Sequence, residues 1–160
     1  MESALYRPVI DALERAPSMV IPLVREVPEG LLKRRPKPGK WSAHEHACHL
    51  AAVQPMFMER LGLILAQDHP TIRPYVPENE QAEGALLEVD LQEALGRLQR
   101  ERAALVARLR ELKPSDWDRT AEHPEYSRYS LFILFRHAAM HDMLHAYRIE
   151  ECLLNREWTS

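Results

Sequence analysis

Apolar side chains recur at spacings of three and four along four long stretches of this chain, and the runs between them are rich in proline and polar residues. In residues 5–27, Leu5, Val9, Leu13, Val20, Leu23 and Val27 share one helical face. Pro8 suits a first turn, but Pro17 and Pro22 each remove a backbone N–H and crowd the preceding turn. The pattern therefore predicts a kink or break near Ala16–Pro17, with helix resuming at Ser18. The second stretch, 43–67, opens on Ser42 followed by Glu45, a spacing in which side chain and backbone cap each other. His46, His49, Val53, Met56, Phe57, Leu61 and Ile64 line one broad face of it. The third, 80–112, repeats Leu95, Leu98, Leu105, Leu109 and Leu112 among Arg and Glu, with a kink expected at Gly84 or Gly96. The fourth, 130–155, carries Leu131, Leu134, Ala138, His141, Leu144, His145, Arg148, Ile149 and Cys152 inward.

Four amphipathic segments without a convincing alternating run predict an all-α fold, a four-helix bundle in one domain over residues 1–160. Periodicity allows simple up-down order as well as orders with long crossovers. The links 68–79 and 113–129 read as loops.

Composition narrows the chemistry. Lys and Arg total 21 against 24 Asp and Glu, a net charge of −3, which argues against nucleic acid as a partner. The one basic cluster, KRRPKPGK at 33–40, is short, broken by prolines, and reads as a solvated loop. No window of 18 uncharged apolar residues exists to span a membrane, and the start, MESALYRPVID, lacks a secretory pattern. Cys48 and Cys152 show no metal or redox spacing, so free thiols and a cytoplasmic location are expected. Neither a GxGxxG nor a GxxxxGK[ST] motif is present to cradle nucleotide phosphates.

Histidine changes the picture. Six of eight histidines lie in the second and fourth segments. His137, His141 and His145 follow each other at i+4, where neighbouring rings on one helix reach a common ion. A third ligand must come from another helix. His49, on the face of Val53 and Met56, is the best placed, and His46 one turn earlier is an alternative. His44 is expected at a helix edge, His69 at the surface, and His123 as a loop anchor. HEHAC at 44–48 falls short of the H-E-x-x-H zinc motif at its last position, and Glu45 is already assigned to the cap. Asp142 points about 100° away from His141, toward a neighbouring helix or the second nitrogen of a ligand. Arg148, on the inward face, is a candidate clamp for an anionic group or a partner for a buried acid.

The stretch GKWSAHEHACHL at 39–50 resembles the second-helix signature of the DinB/YfiT-like superfamily of metalloenzymes, in which a Trp-Ser/Thr pair opens the helix and the histidine eight residues after the Trp is a metal ligand. His141 and His145, with Arg148 and Ile149 beyond, resemble its second landmark on the last helix, and DRTAEHP at 118–124 resembles the stretch before that helix. The resemblance spans essentially the whole chain. It implies an up-down-down-up bundle with His49, His141 and His145 around one divalent metal, zinc first, nickel or iron as alternatives. Arg148 departs from the family's usual glutamine, and His137 adds an imidazole one turn before the pair; both are candidate catalytic groups. By the same resemblance, the leading expected function is thiol-dependent S-transfer. A low-molecular-weight thiol would be the cosubstrate, attacking a small electrophile. The alternatives are metal-dependent hydrolysis, or a non-enzymatic metal-binding or stress-related bundle. A small-molecule substrate and room for a homodimer complete the expectations.

Overall fold

In the computed structural model, which describes residues 3–75 and 83–158, seven α-helices are formed: α1 (Ser3–Glu26), α2 (Glu29–Leu32), α3 (Ala43–Ala52), α4 (Gln54–Ala66), α5 (Leu91–Arg110), α6 (Pro114–Trp117) and α7 (Leu131–Leu153). Among the described residues there is no strand, only isolated bridges pairing Thr71 with Glu122 and Thr120 with Ser130. No described helix is long and apolar enough to cross a membrane.

Two core clusters define the direction of each long element. One gathers Val9 and Leu13 of α1, Phe57 and Ile64 of α4, Leu105 and Leu109 of α5, and Leu131 and Leu134 of α7. The other gathers Val20 and Val24, Ala43 and Ala47, Leu95 and Leu98, and Ile149 and Cys152. Hence α1 and α7 run from the first cluster to the second, while α3–α4 and α5 run the opposite way. The order is up, down, down, up. Two consecutive parallel elements require a long return between α4 and α5, which residues 67–90 provide. Arg119 fastens the start of that return, donating to the carbonyls of Ile64 at 2.8 Å and Gln67 at 2.7 Å at the C-terminus of α4.

The expected break at Pro17 does not occur: α1 runs unbroken through Pro8, Pro17 and Pro22. Pro17 leaves the carbonyl of Leu13, four residues earlier, without its helical donor. The buried guanidinium of Arg102 supplies the replacement, its Nη1 donating to Leu13 O at 3.0 Å. Pro22 strands only the carbonyl of exposed Ser18, where water can serve.

The second segment is capped as its sequence requires. Ser42 Oγ accepts the Glu45 N–H at 3.2 Å, and Glu45 Oε2 accepts the Ser42 N–H at 2.8 Å. It is two helices rather than one, parting at Val53 because Pro55 occupies the first turn of α4. The third segment starts later than expected. Its predicted beginning at 80–82 lies outside the described residues, Gly84 takes a left-handed φ of 84°, and a 3-10 turn covers Ala85–Glu88. Asp90 then caps α5, accepting the Glu93 N–H at 2.7 Å. Gly96 lies inside α5 without interrupting it.

Candidate metal centre

The cap at Ser42 fixes the helical phase of α3, and with it the directions of His44, His46 and His49. His49 is directed between α3 and α7, where His141 and His145 stand one turn apart. The ligand-capable nitrogens of His49, His141 and His145 all lie within 4.8 Å of one another. His141 Nε2 is the hub, 3.0 Å from His49 Nε2 and 3.1 Å from His145 Nε2. Bonds of about 2.0–2.1 Å to one tetrahedral ion place ligand nitrogens roughly 3.3 Å apart, so the spacing fits a shared cation.

Proton bookkeeping makes the same point. The Nδ1 of His141 is buried with no protein partner, so the ring's polar contacts rest on Nε2. A cation between the three rings would engage all three Nε2 lone pairs at once. Burial and neighbouring imidazoles push His141 down to about 4 and His145 down to about 2. Both rings are therefore neutral at physiological pH, as a ligand must be.

His46 sits behind the triad. Its Nδ1 lies 2.8 Å from Nδ1 of His145, on the side of that ring facing away from the hub. A free Nε2 lone pair on His145 requires its proton on Nδ1, so His145 donates and His46 Nδ1 accepts, leaving the His46 proton on Nε2. An outer partner of this kind would fix the tautomer and orientation of His145 as a metal ligand. Burial pushes His46 down to about 4 as well. The Trp41 ring covers this end of the bundle, its centroid 4.9 Å from that of His49, 5.6 Å from His46 and 6.0 Å from His145.

Behind the other side of α7, Asp142 is 1 % exposed and forms a bidentate ion pair with Arg102, also 1 % exposed. Arg102 further donates to Gln54 Oε1 at 3.0 Å, so one guanidinium ties α1, α4, α5 and α7 together. Burial pushes the Asp142 carboxyl up, while Arg102 pulls it the other way. Arg102 was not among the sequence candidates, although its place in the series Leu95, Leu98, Arg102, Leu105, Leu109 marks it as a core position.

The other candidates are distributed as follows. Arg148 is exposed and pairs with Glu151 at 2.7 Å; it is no partner of a buried acid. It lines an open cleft of about 900 Å³ together with Lys37, Lys40, Trp41, His46 and Tyr147. His137 is half-buried and meets the Tyr126 ring edge-on at 5.2 Å. His44 is buried rather than at a helix edge, with Nε2 3.0 Å from Val89 O. His69 is exposed at a φ of 46° and bonds Thr120 Oγ1 at 2.8 Å. His123 packs between Tyr126 and Tyr129, both at 4.6 Å, and accepts the Glu125 N–H. The basic loop is anchored as well as solvated, because Arg35 Nε donates to Glu45 Oε2 at 3.0 Å, joining the loop to the cap of α3. Cys48 and Cys152 form no disulfide, and burial pushes the Cys48 thiol up to about 12.

An all-α bundle in this order, with imidazoles from its second and last long elements converging, defines a class. The DinB superfamily model matches residues 12–149, and the chain belongs to that family. It is 26% identical over 149 residues to OB0782 of Oceanobacillus iheyensis, spanning 93% of this chain and 86% of that one; the name of that protein is an inferred metal-dependent hydrolase. It also superposes on YfiT from Bacillus subtilis, a four-helix bundle of unusual topology, with a TM-score of 0.81 and 24% identity over 91% of this chain and 84% of the other.

Proposed function

We propose that this protein is a metal-dependent hydrolase of small molecules, with His49, His141 and His145 holding one divalent cation. The observation that carries the reading is the ligand count. Among the described residues the cluster contains three imidazoles and no fourth His, Cys, Asp or Glu ligand. Structural zinc sites use four protein ligands, whereas catalytic sites use three and keep a position open. When bound, the cation supplies Lewis acidity at that position. The name of OB0782 favours hydrolysis over other metal chemistry.

The chain's own groups then have distinct roles. Imidazole ligands are uncharged, so three of them would leave the cation its full charge. His46 holds the proton on Nδ1 of His145, and Trp41 shields the end of the bundle from water. All-nitrogen ligation suits zinc, with nickel or iron as alternatives.

Thiol-dependent S-transfer is the second reading, favoured by the cations Lys37, Lys40 and Arg148 along the cleft, which suit an anionic cosubstrate or electrophile. Arg148, though paired with Glu151, is half exposed and available as a clamp. His137, outside the cluster, has a place in catalysis only if substrate reaches across α7 to it. A non-enzymatic metal-binding bundle would bind metal and turn over nothing.

One experiment separates these readings. Metal-free protein is titrated with zinc, nickel and iron, and the loaded forms are assayed against ester, amide and phosphoester panels, then against a small electrophile with and without added thiols. The hydrolase reading expects metal-dependent hydrolysis lost in His141→Ala. Conjugation that needs thiol and metal, without hydrolysis, establishes S-transfer instead. Tight binding of one equivalent with no turnover in either panel points to the non-enzymatic bundle, and no binding of any of the three metals overturns all three readings.

A further inference from the structure

We propose that α7 forms a two-fold interface with α7 of a second copy of this chain, the two helices packing antiparallel about a point between Met143 and Leu144. A helix on the outside of a bundle normally presents charged residues to water. The outer face of α7 instead presents Met140, Met143, Leu144 and Tyr147, which are 53%, 59%, 50% and 61% exposed. Just past its end Leu154 is 66% exposed. At 100° per residue these positions fall within about 50° of one line, an apolar patch over 140–147 that exposed Glu151, on the same line, separates from Leu154.

The order of residues along the stripe selects the occupant. In a two-fold antiparallel pair centred between 143 and 144, every residue meets the one whose number makes the same sum with its own. Met143 then meets Leu144 of the second copy, and Met140 meets its Tyr147. Moving outward, exposed Arg136 meets Glu151, and beyond that pair Ile133 meets Leu154. Apolar residues face apolar ones, and the flanking charges face their opposites. Such self-complementarity is what an isologous contact demands and what an unrelated partner has no reason to match. Arg136 lies over the Phe132 ring at 5.3 Å, and Glu151 is held by Arg148 on the surface, so both charges are already positioned at the rim. Tyr147 and Leu154 also line the cleft beside His46, and the second copy therefore sits at the cleft's edge.

Sedimentation velocity on a dilution series of the full chain reads the association directly. The expected result is a dimer that dissociates in the micromolar range. Met143→Glu, with its helical circular dichroism unchanged, is expected to leave only monomer. Arg136→Glu is expected to weaken association several-fold, and adding Glu151→Arg in the same chain to restore it. Register is tested by oxidation: Met140→Cys and Tyr147→Cys proteins are expected to crosslink when mixed but not separately. Two residues at position 140 stand about 10 Å apart along the axis, too far for a disulfide. A chain that stays monomeric throughout the series, a dimer indifferent to Met143→Glu, or Met140→Cys crosslinking as well alone as mixed would each overturn the proposal.

Discussion

Replacing Arg102 by Met tests the link between the buried ion pair and the proline-bearing helix. The substitution keeps much of the side-chain volume and removes four donations: two to Asp142, one to Gln54 and one to Leu13 O. Removing one partner of a buried pair costs about 3–5 kcal/mol, because the other charge stays buried. Leaving the Leu13 carbonyl without a donor adds about 1–3 kcal/mol. A loss of roughly 4–8 kcal/mol is therefore expected, against about 5–15 kcal/mol for a whole domain. Two features distinguish this account from generic damage. The stranded carboxyl, pushed up by burial and no longer pulled down by Arg102, is neutral below its raised value and charged above it. The difference between variant and wild type, read by urea unfolding of both at each pH, must then shrink as pH falls. Pro17→Ala supplies an N–H to Leu13 O, so it should stabilise Arg102→Met by about 1 kcal/mol more than it stabilises wild type. A loss under about 1 kcal/mol, a pH-independent difference, or strict additivity with Pro17→Ala would refute the reasoning.

Loss of the outer imidazole in His46→Ala is expected to weaken zinc binding about 10–100-fold, measured by competition with a chromogenic chelator, with partial recovery in His46→Gln; unchanged affinity in both would remove His46 from the site. Metal-free protein should lose stability in acid. His46 and His141 are pushed from 6.5 to about 4, so their contribution is complete above pH 6.5 and is lost as pH falls to about 4. The slope approaches about 1.4 kcal/mol per pH unit for each such ring, and a flat unfolding free energy over that window would contradict it. Ser42→Ala removes one half of the reciprocal cap of α3 and is expected to cost about 1 kcal/mol in thermal unfolding. Because the cap also sets the direction of His49, zinc affinity should fall with it; a cap loss that leaves affinity untouched would separate the two roles.

What the sequence conveys well is whatever helical geometry settles locally. His141 and His145 are neighbours in any α-helix, and Ser42 with Glu45 fixes where α3 begins. Interruptions were harder to place because they depend on distant partners. Pro17 is tolerated because Arg102, 89 residues beyond Leu13, serves the orphaned carbonyl, whereas at Pro55 the segment divides at Val53, whose own N–H reaches the Ala51 carbonyl as well as that of His49. Among the histidines of α3 the spacing alone did not discriminate: His44 is taken by the Val89 carbonyl and His46 by His145, and each needs a partner that only the folded chain supplies.

Arg148 and Asp142 mark the limits of a single helical face near a functional centre. Periodicity places Arg148 inward, yet it is exposed, while Asp142, read as turning toward a neighbouring helix, does so and is among the most buried side chains of α7. The reason is that α7 serves two interiors. His141 and His145 turn toward α3, while Asp142, one residue from His141, turns toward Arg102 on α5 and Gln54 on α4 accepts from the same guanidinium. A helix buried along two adjoining faces has an inward arc wider than one stripe, and polar residues inside that arc must each find a partner. The ion pair thereby fixes the rotation of α7 about its own axis. That rotation aims the two histidines at His49, so the catalytic geometry proposed for this protein depends on a salt bridge that touches no ligand nitrogen.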